Sequence, residues 1–203
     1  LHTFDSLILA TGSRPFVPEN AQLHLPGRFT MRKKSDADRL KKYLESTNLP
    51  TEEQHIVIIG GGLLGLELAA ALKHKKVKIT IIQRASRLME RQLDRVSSKL
   101  LAEEVQLRDI QIYFDNEVST VFETDNPNEL EIALKSGKII TANAIVYTIG
   151  TLPNIEIAKE SGLACGRGVK VNQYLQSSNP SVFAIGEIAE FNKHYQDFSD
   201  RDT

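Results

Sequence analysis

Three glycines, Gly60, Gly62 and Gly65, stand at GxGxxG spacing inside Ile56–Leu68, IVIIGGGLLGLEL. Glycine at the first position permits a tight turn, and at the second it lets a charged group approach the backbone. At the third it lets a following helix pack closely on a sheet. The unpaired N–H groups at the start of such a helix attract phosphate, so the spacing suits the cradling of a pyrophosphate, with Leu63 and Leu64 in the same loop.

That chemistry needs particular elements around it. His55–Ile59 (HIVII) reads as a buried strand, Leu63–Lys75 as a helix and Val77–Ile82 as a second strand. Strand, helix and strand in so short a span form a right-handed βαβ unit, hence a parallel sheet. A dinucleotide site of this kind carries an acid at the end of its second strand to bond the adenosine ribose. Here the position holds Gln83, followed by Arg84. Gln83 keeps the capacity to bond a ribose hydroxyl but brings no charge against a 2′-phosphate, which Arg84 or Arg87 could reach.

The remaining pattern extends the α/β reading. Ser6–Ala10 is a buried strand closed by Thr11-Gly12, and Arg14–Phe29, with three prolines, is an irregular connection. Ser35 is expected to cap a helix over Asp36–Ser46, among the solvated basic residues Arg32, Lys33, Lys34, Lys41 and Lys42. A longer helix is expected over Leu93–Leu107, with Val96, Leu100, Leu101 and Val105 as its apolar face. Strands follow over Gln111–Phe114, Glu117–Glu123, Glu129–Leu134 and Ile139–Tyr147, with Asp125–Asn128 as a hairpin turn. Ser181–Ile185 is the last strand and ends at Gly186-Glu187.

Composition excludes several classes. The 203 residues carry 25 Lys+Arg against 26 Asp+Glu, a net charge of -1, which argues against nucleic-acid binding. No apolar run nears the ~20 residues of a membrane span, so the chain reads as soluble and cytoplasmic. The lone Cys165 rules out an internal disulfide or a thiolate cluster, and His2, His24, His55, His74 and His194 have no metal-ligand spacing. No metal site is expected.

Four segments occur in an order that carries a resemblance: LILATGSRPFVP (Leu7–Pro18), the glycine run, TIGTLPN (Thr148–Asn154) and SSNPSVFAIGEIAE (Ser177–Glu190). Together they resemble the pyridine nucleotide-disulfide oxidoreductase superfamily of two-dinucleotide flavoproteins, similar in fold to glutathione reductase. RLMERQLD (Arg87–Asp94) and the GEIAEF segment (Gly186–Phe191) look like the flavin module of NAD(P)H-dependent nitrite reductase large subunits and of rubredoxin and ferredoxin reductases.

The resemblance implies a Rossmann-like NAD(P)-binding domain with a central parallel sheet and a β-meander, over residues 27–151. It would be flanked by FAD-domain segments at 1–26 and 152–203. Because the chain begins at Leu1, close to the ATG-type strand, and ends soon after Glu187, a truncated FAD site is expected. By the same resemblance Gly60, Gly62 and Gly65 hold the NAD(P)H pyrophosphate and Gly150 approaches the nicotinamide half. Glu67 bonds the carboxamide, Thr11 and Gly12 line the FAD, and Glu187 accepts from its ribityl chain. No side chain need act as acid or base. Hydride would pass from NAD(P)H to FAD and electrons to a separate acceptor, a redox protein or a sirohaem and iron–sulfur module. The alternative of a different class is a protein that senses NAD(P)H without turnover.

Overall fold

The protein is seen in a computed structural model that describes residues 3–191; residues 1–2 and 192–203, the outer ends of the two flanking segments, lie outside it. The chain divides into two compact units, one running from Val17 to Ile149 and the other formed by the stretches before and after it.

Chain order opens with two short strands of the outer unit, β1 (Leu7–Leu9) and β2 (Ser13–Pro15). Within the Val17–Ile149 unit come β3 (Arg28–Thr30), α1 (Lys34–Ser46), β4 (His55–Ile59), α2 (Leu63–Lys73), β5 (Lys78–Ile82), α3 (Arg95–Leu107) and β6 (Ile110–Tyr113). Then follow β7 (Val118–Glu123), β8 (Leu130–Leu134), β9 (Ile139–Ala142) and β10 (Ala144–Tyr147). The outer unit is completed by β11 (Thr151–Pro153), α4 (Glu156–Glu160), β12 (Val169–Val171), β13 (Val182–Ala184) and β14 (Ala189–Phe191).

The larger unit is a three-layer sandwich around a parallel sheet ordered β3-β10-β4-β5-β6. Side chains alternate along a strand, so a strand buried on both faces must be apolar throughout. β4 shows this: Ile56 and Ile58 pack against Leu40 and Leu44 of α1 and Ala69 and Leu72 of α2. Val57 and Ile59 join the opposite cluster, with Val121, Ile132 and Ile140 of the antiparallel meander β7-β8-β9. Helices cover one face and the meander the other. The buried guanidinium of Arg28 donates to the carbonyls of Pro26 and Val121, tying the edge strand β3 to the meander.

Several local expectations change. The apolar run Ile139–Tyr147 is two strands in different sheets, divided at Asn143. The Asn143 Oδ1 accepts the His55 N–H at 2.7 Å, its Nδ2 donates to the Asn128 carbonyl at 2.7 Å and its own carbonyl accepts from the Tyr43 hydroxyl at 3.2 Å. These bonds turn the chain out of the meander and into the parallel sheet.

Ser35 does not cap α1, which starts at Lys34. Asp36, one position further on, accepts the N–H groups of Arg32 and Lys33, both at 2.9 Å, and so satisfies the helix start from inside its first turn. In α3, Asp94 is the cap and accepts the Ser97 N–H at 2.7 Å. Val96 and Leu100 of the expected apolar face are 70% and 61% exposed, while Ser98 and Val105 are buried and Leu101 and Ala102 pack against the core. Ser98 is tolerated inside because its hydroxyl donates to the Leu88 carbonyl at 2.7 Å. The stretch Arg14–Phe29 is not wholly irregular, since β2 and β3 reach into it.

In the outer unit β1 pairs with β13 in parallel, β2 with β11 antiparallel and β12 with β14 in parallel. Its core gathers Leu9, Ile155, Val169, Val182, Ala184 and Ile188.

Candidate nucleotide site

β4 is the central strand of the parallel sheet. From it the chain winds one way through α2 to β5 and β6, whereas β10 and β3 lie on its other side. Ligands of open α/β sheets bind at the carboxyl ends of strands where the winding reverses, here between β4 and β10. At that point stand Gly60, directly after β4, and Thr148, directly after β10.

The turn is built for close approach. Gly60 has φ +109°, and its N–H donates to the Ile82 carbonyl at 2.9 Å. A methyl at Gly65 would lie 2.0 Å from the Gly60 carbonyl oxygen, so only glycine lets α2 descend onto the turn. A methyl at Gly62, by contrast, would meet none of the described atoms within 4 Å. Gly62 is the N-cap of α2, and the first helical bond is Leu66 N–H to the Gly62 carbonyl at 3.0 Å. The N–H groups of Leu63, Leu64 and Gly65 therefore have no carbonyl one turn back and point out of the helix end, beside the open space at Gly62. Glu67 lies exposed in the first turns of α2.

Two residues act here that the sequence did not single out. The Thr148 hydroxyl reaches the carbonyls of Ile59 at 2.9 Å and Gly60 at 3.2 Å, holding the two strand ends together. Gly61, the unassigned member of the glycine triplet, is also closely packed: a methyl there would come within 2.4 Å of the Leu88 Cδ2. Its N–H donates to the Gln83 Oε1 at 2.8 Å, and its carbonyl accepts the Met89 N–H at 3.0 Å. Gln83 is buried, turned toward the glycine loop, and its Nε2 donates to the Arg87 carbonyl at 3.1 Å. Arg84 is exposed, 3.9 Å from Glu117, and the Arg87 Nη2 donates to the Glu90 carbonyl at 2.8 Å. The only local hint of this arrangement is a fourth glycine, Gly61, beyond the three the pattern requires.

Thr11, Gly12, Gly150 and Glu187 belong to the outer unit. Thr11 and Gly12 follow β1 and Glu187 follows β13, its parallel neighbour, so both turns lie at carboxyl strand ends. The Ser13 hydroxyl donates to the Glu187 Oε2 at 2.8 Å and joins them. Gly12 has φ +65° and Gly186 φ +72°, the left-handed region that glycine occupies freely. Asn154 fastens the first turn: its N–H meets the Gly12 carbonyl at 2.9 Å, its Nδ2 the Thr11 carbonyl at 2.9 Å, and its carbonyl accepts the Thr11 hydroxyl at 2.6 Å. Gly150, with φ +109°, accepts the Phe16 N–H at 2.9 Å just before β11, so the expected turn at Thr148–Asn154 contains a strand.

No described helix is long and apolar enough to cross a membrane, and no metal-binding cluster of His, Cys, Asp or Glu occurs among the described residues.

A parallel sheet with a glycine turn at the carboxyl end of its central strand defines an α/β protein of the Rossmann-like class. The chain belongs to the pyridine nucleotide-disulphide oxidoreductase family, whose model matches residues 2–199. It is 34% identical over 192 residues to nitrite reductase [NAD(P)H] of Bacillus subtilis, an alignment covering 94% of this chain and 23% of the relative. It is 31% identical over 188 residues to rhodocoxin reductase of Rhodococcus erythropolis, covering 93% of the chain and 42% of the relative. A ferredoxin reductase from Rhodopseudomonas palustris superposes with a TM-score of 0.84 at 26% identity, covering 93% of this chain and 45% of that one. The chain thus spans less than half the length of each.

Proposed function

We propose that the chain is the NAD(P)H-binding portion of an FAD-dependent oxidoreductase that hands electrons to a separate acceptor. The observation that carries this is the start of α2: three helix-end amides beside open space at Gly62, at the reversal point of a parallel sheet. Such an end fits a pyrophosphate. Residues 27–151 form the nucleotide domain in this reading, close to the compact unit Val17–Ile149. Gly60, Gly62, Leu63, Leu64 and Gly65 hold the pyrophosphate, Glu67 meets the carboxamide and Arg84 lies on the ribose side. In the outer unit the paired turns at Thr11-Gly12 and Gly186-Glu187 fit part of an FAD site, with Glu187 a ready acceptor for a sugar-alcohol hydroxyl.

Hydride exchange between nicotinamide and flavin is the chemistry the two groups supply when bound. The chain's own work is to hold and orient them, and none of its side chains needs to move a proton. Similarity to nitrite reductase [NAD(P)H] supports an acceptor linked to sirohaem and iron–sulfur chemistry. Similarity to rhodocoxin and ferredoxin reductases supports a small redox protein. A cytoplasmic setting accords with the single cysteine.

Calorimetric titration with NADH tests the reading. Gly62→Val places a side chain in the pyrophosphate path and should abolish binding while the thermal midpoint stays near the parent's. A variant that binds as tightly as the parent overturns it.

A further inference from the structure

We propose that Gln83 is a positioning residue whose carboxamide latches the glycine turn to the β5–α3 loop, instead of reading the nucleotide ribose. This rests on the nucleotide-binding reading above. Gln83 is 8% exposed, and its carboxamide accepts the Gly61 N–H at 2.8 Å and donates to the Arg87 carbonyl at 3.1 Å. Its backbone is fixed as well: the Gln83 N–H donates to the Tyr113 carbonyl at 2.9 Å and its carbonyl accepts the Asn116 N–H at 3.2 Å. Met89, on the same loop, donates its N–H to the Gly61 carbonyl at 3.0 Å, and Leu88 fills the space against the Gly61 Cα. Gly61 is thus gripped at its N–H, its carbonyl and its Cα by one loop. The residue it precedes, Gly62, caps the helix that offers amides to the pyrophosphate.

The latch requires an acceptor facing Gly61 and a donor facing Arg87 from one side chain, and a carboxamide supplies both. A carboxylate would keep the first bond but set an anionic oxygen against the Arg87 carbonyl. A protonated carboxylic acid would restore both. Gln83→Glu therefore converts the latch into one that closes only when the introduced acid is protonated, at a pH raised by burial against a carbonyl. The charged groups on the surrounding elements include Arg84 with Glu117 and Lys135, Arg87, Glu90, Arg91 and Asp94 on or beside the loop, and Asp115, whose N–H meets the Ala85 carbonyl. None of them supplies the missing donor at the Arg87 carbonyl.

The two roles predict opposite pH responses. NAD+ and NADP+, both stable in acid, are titrated calorimetrically into the parent and Gln83→Glu at pH 8 and pH 5, and thermal midpoints are recorded without ligand. If Gln83 is the latch, the variant binds both nucleotides about tenfold more weakly than the parent at pH 8. At pH 5 the deficit shrinks to about twofold. Its midpoint lies below the parent's at pH 8 and the gap narrows toward pH 5. Gln83→Met, which has no ionisable group, shows the same deficit at both pH values and covers the case in which the first variant fails to fold. If position 83 reads the ribose, the variant gains NAD+ affinity at pH 8 and loses only NADP+, with no midpoint gap; that result overturns the proposal. A parent that binds neither nucleotide defeats the binding reading, and the positioning role with it, while the midpoints still decide whether the latch exists.

Discussion

Thr148 and Gly60 meet across the carboxyl ends of adjacent strands, the Thr148 hydroxyl shared between the carbonyls of Ile59 at 2.9 Å and Gly60 at 3.2 Å. The threonine N–H also donates to the Ile59 carbonyl at 2.8 Å. A side chain just past the end of β10 therefore sets where the first glycine of the turn lies, although it stands 88 positions along the chain from Gly60.

Thr148→Val keeps the shape and removes the hydroxyl. It should cost about 1 kcal/mol in urea denaturation, the net worth of a hydrogen bond, and weaken NADH binding a few-fold as the turn loosens. Thr148→Ser should recover both. A valine variant indistinguishable from the parent would mean that the hydroxyl is not what holds Gly60.

Gly65 and Gly62 should respond oppositely to one methyl group. At Gly65 it would lie 2.0 Å from the Gly60 carbonyl oxygen and 2.8 Å from the Thr148 hydroxyl, so α2 must move off the turn. Gly65→Ala should cost roughly 2–3 kcal/mol, visible as a lower thermal midpoint. At Gly62 φ is −86° and the space is open, so Gly62→Ala should change stability by less than about 0.5 kcal/mol. Equal midpoints for the two variants would contradict the close helix–turn contact.

His55 makes stability depend on mild acid. Burial beneath the meander lowers its pKa from 6.5 to about 4, even though the bond to the Thr141 carbonyl works in the other direction and Lys78 adds to the lowering. One ring nitrogen lies 2.7 Å from the Thr141 carbonyl and the other 2.9 Å from the Thr80 hydroxyl. The unfolded chain takes up a proton near pH 6.5 that the folded chain refuses until about pH 4, so stability is full above that window and falls as pH drops through it. Denaturant unfolding at pH 7, 6 and 5 should show a loss of roughly 1 kcal/mol per pH unit below 6.5. The slope should be absent in His55→Gln; parallel slopes would assign it to other groups.

Much of this was legible from residue order. β4 matches its expected span, because a short, β-branched apolar run stopped by a glycine cluster is too short for a helix and suits a strand covered on both faces. The glycine turn was equally plain, since its demands on backbone conformation are local. What escaped depended on distant partners. The break at Asn143 follows from bonds to His55, Asn128 and Tyr43, which no window around it contains. The outward face of α3 misled because Val96 and Leu100 carry the helical period while Ser98 takes the inner place through its bond to Leu88. Gln83 was expected to face a ligand, and only Gly61 and Arg87 show where its carboxamide points.

The placing of β10 between β3 and β4 bears on how the chain is made. While it leaves the ribosome, the strand at His55–Ile59 acquires β5 on one side early, but its other edge stays without a partner until Ala144–Tyr147 has been synthesised. Until then the most apolar strand of the sheet presents bare N–H and C=O groups, the kind of edge that pairs with other nascent chains. Contacts closed over such separations also slow folding. The strand that completes the crevice beside Gly60 is thus also the one that closes this open edge.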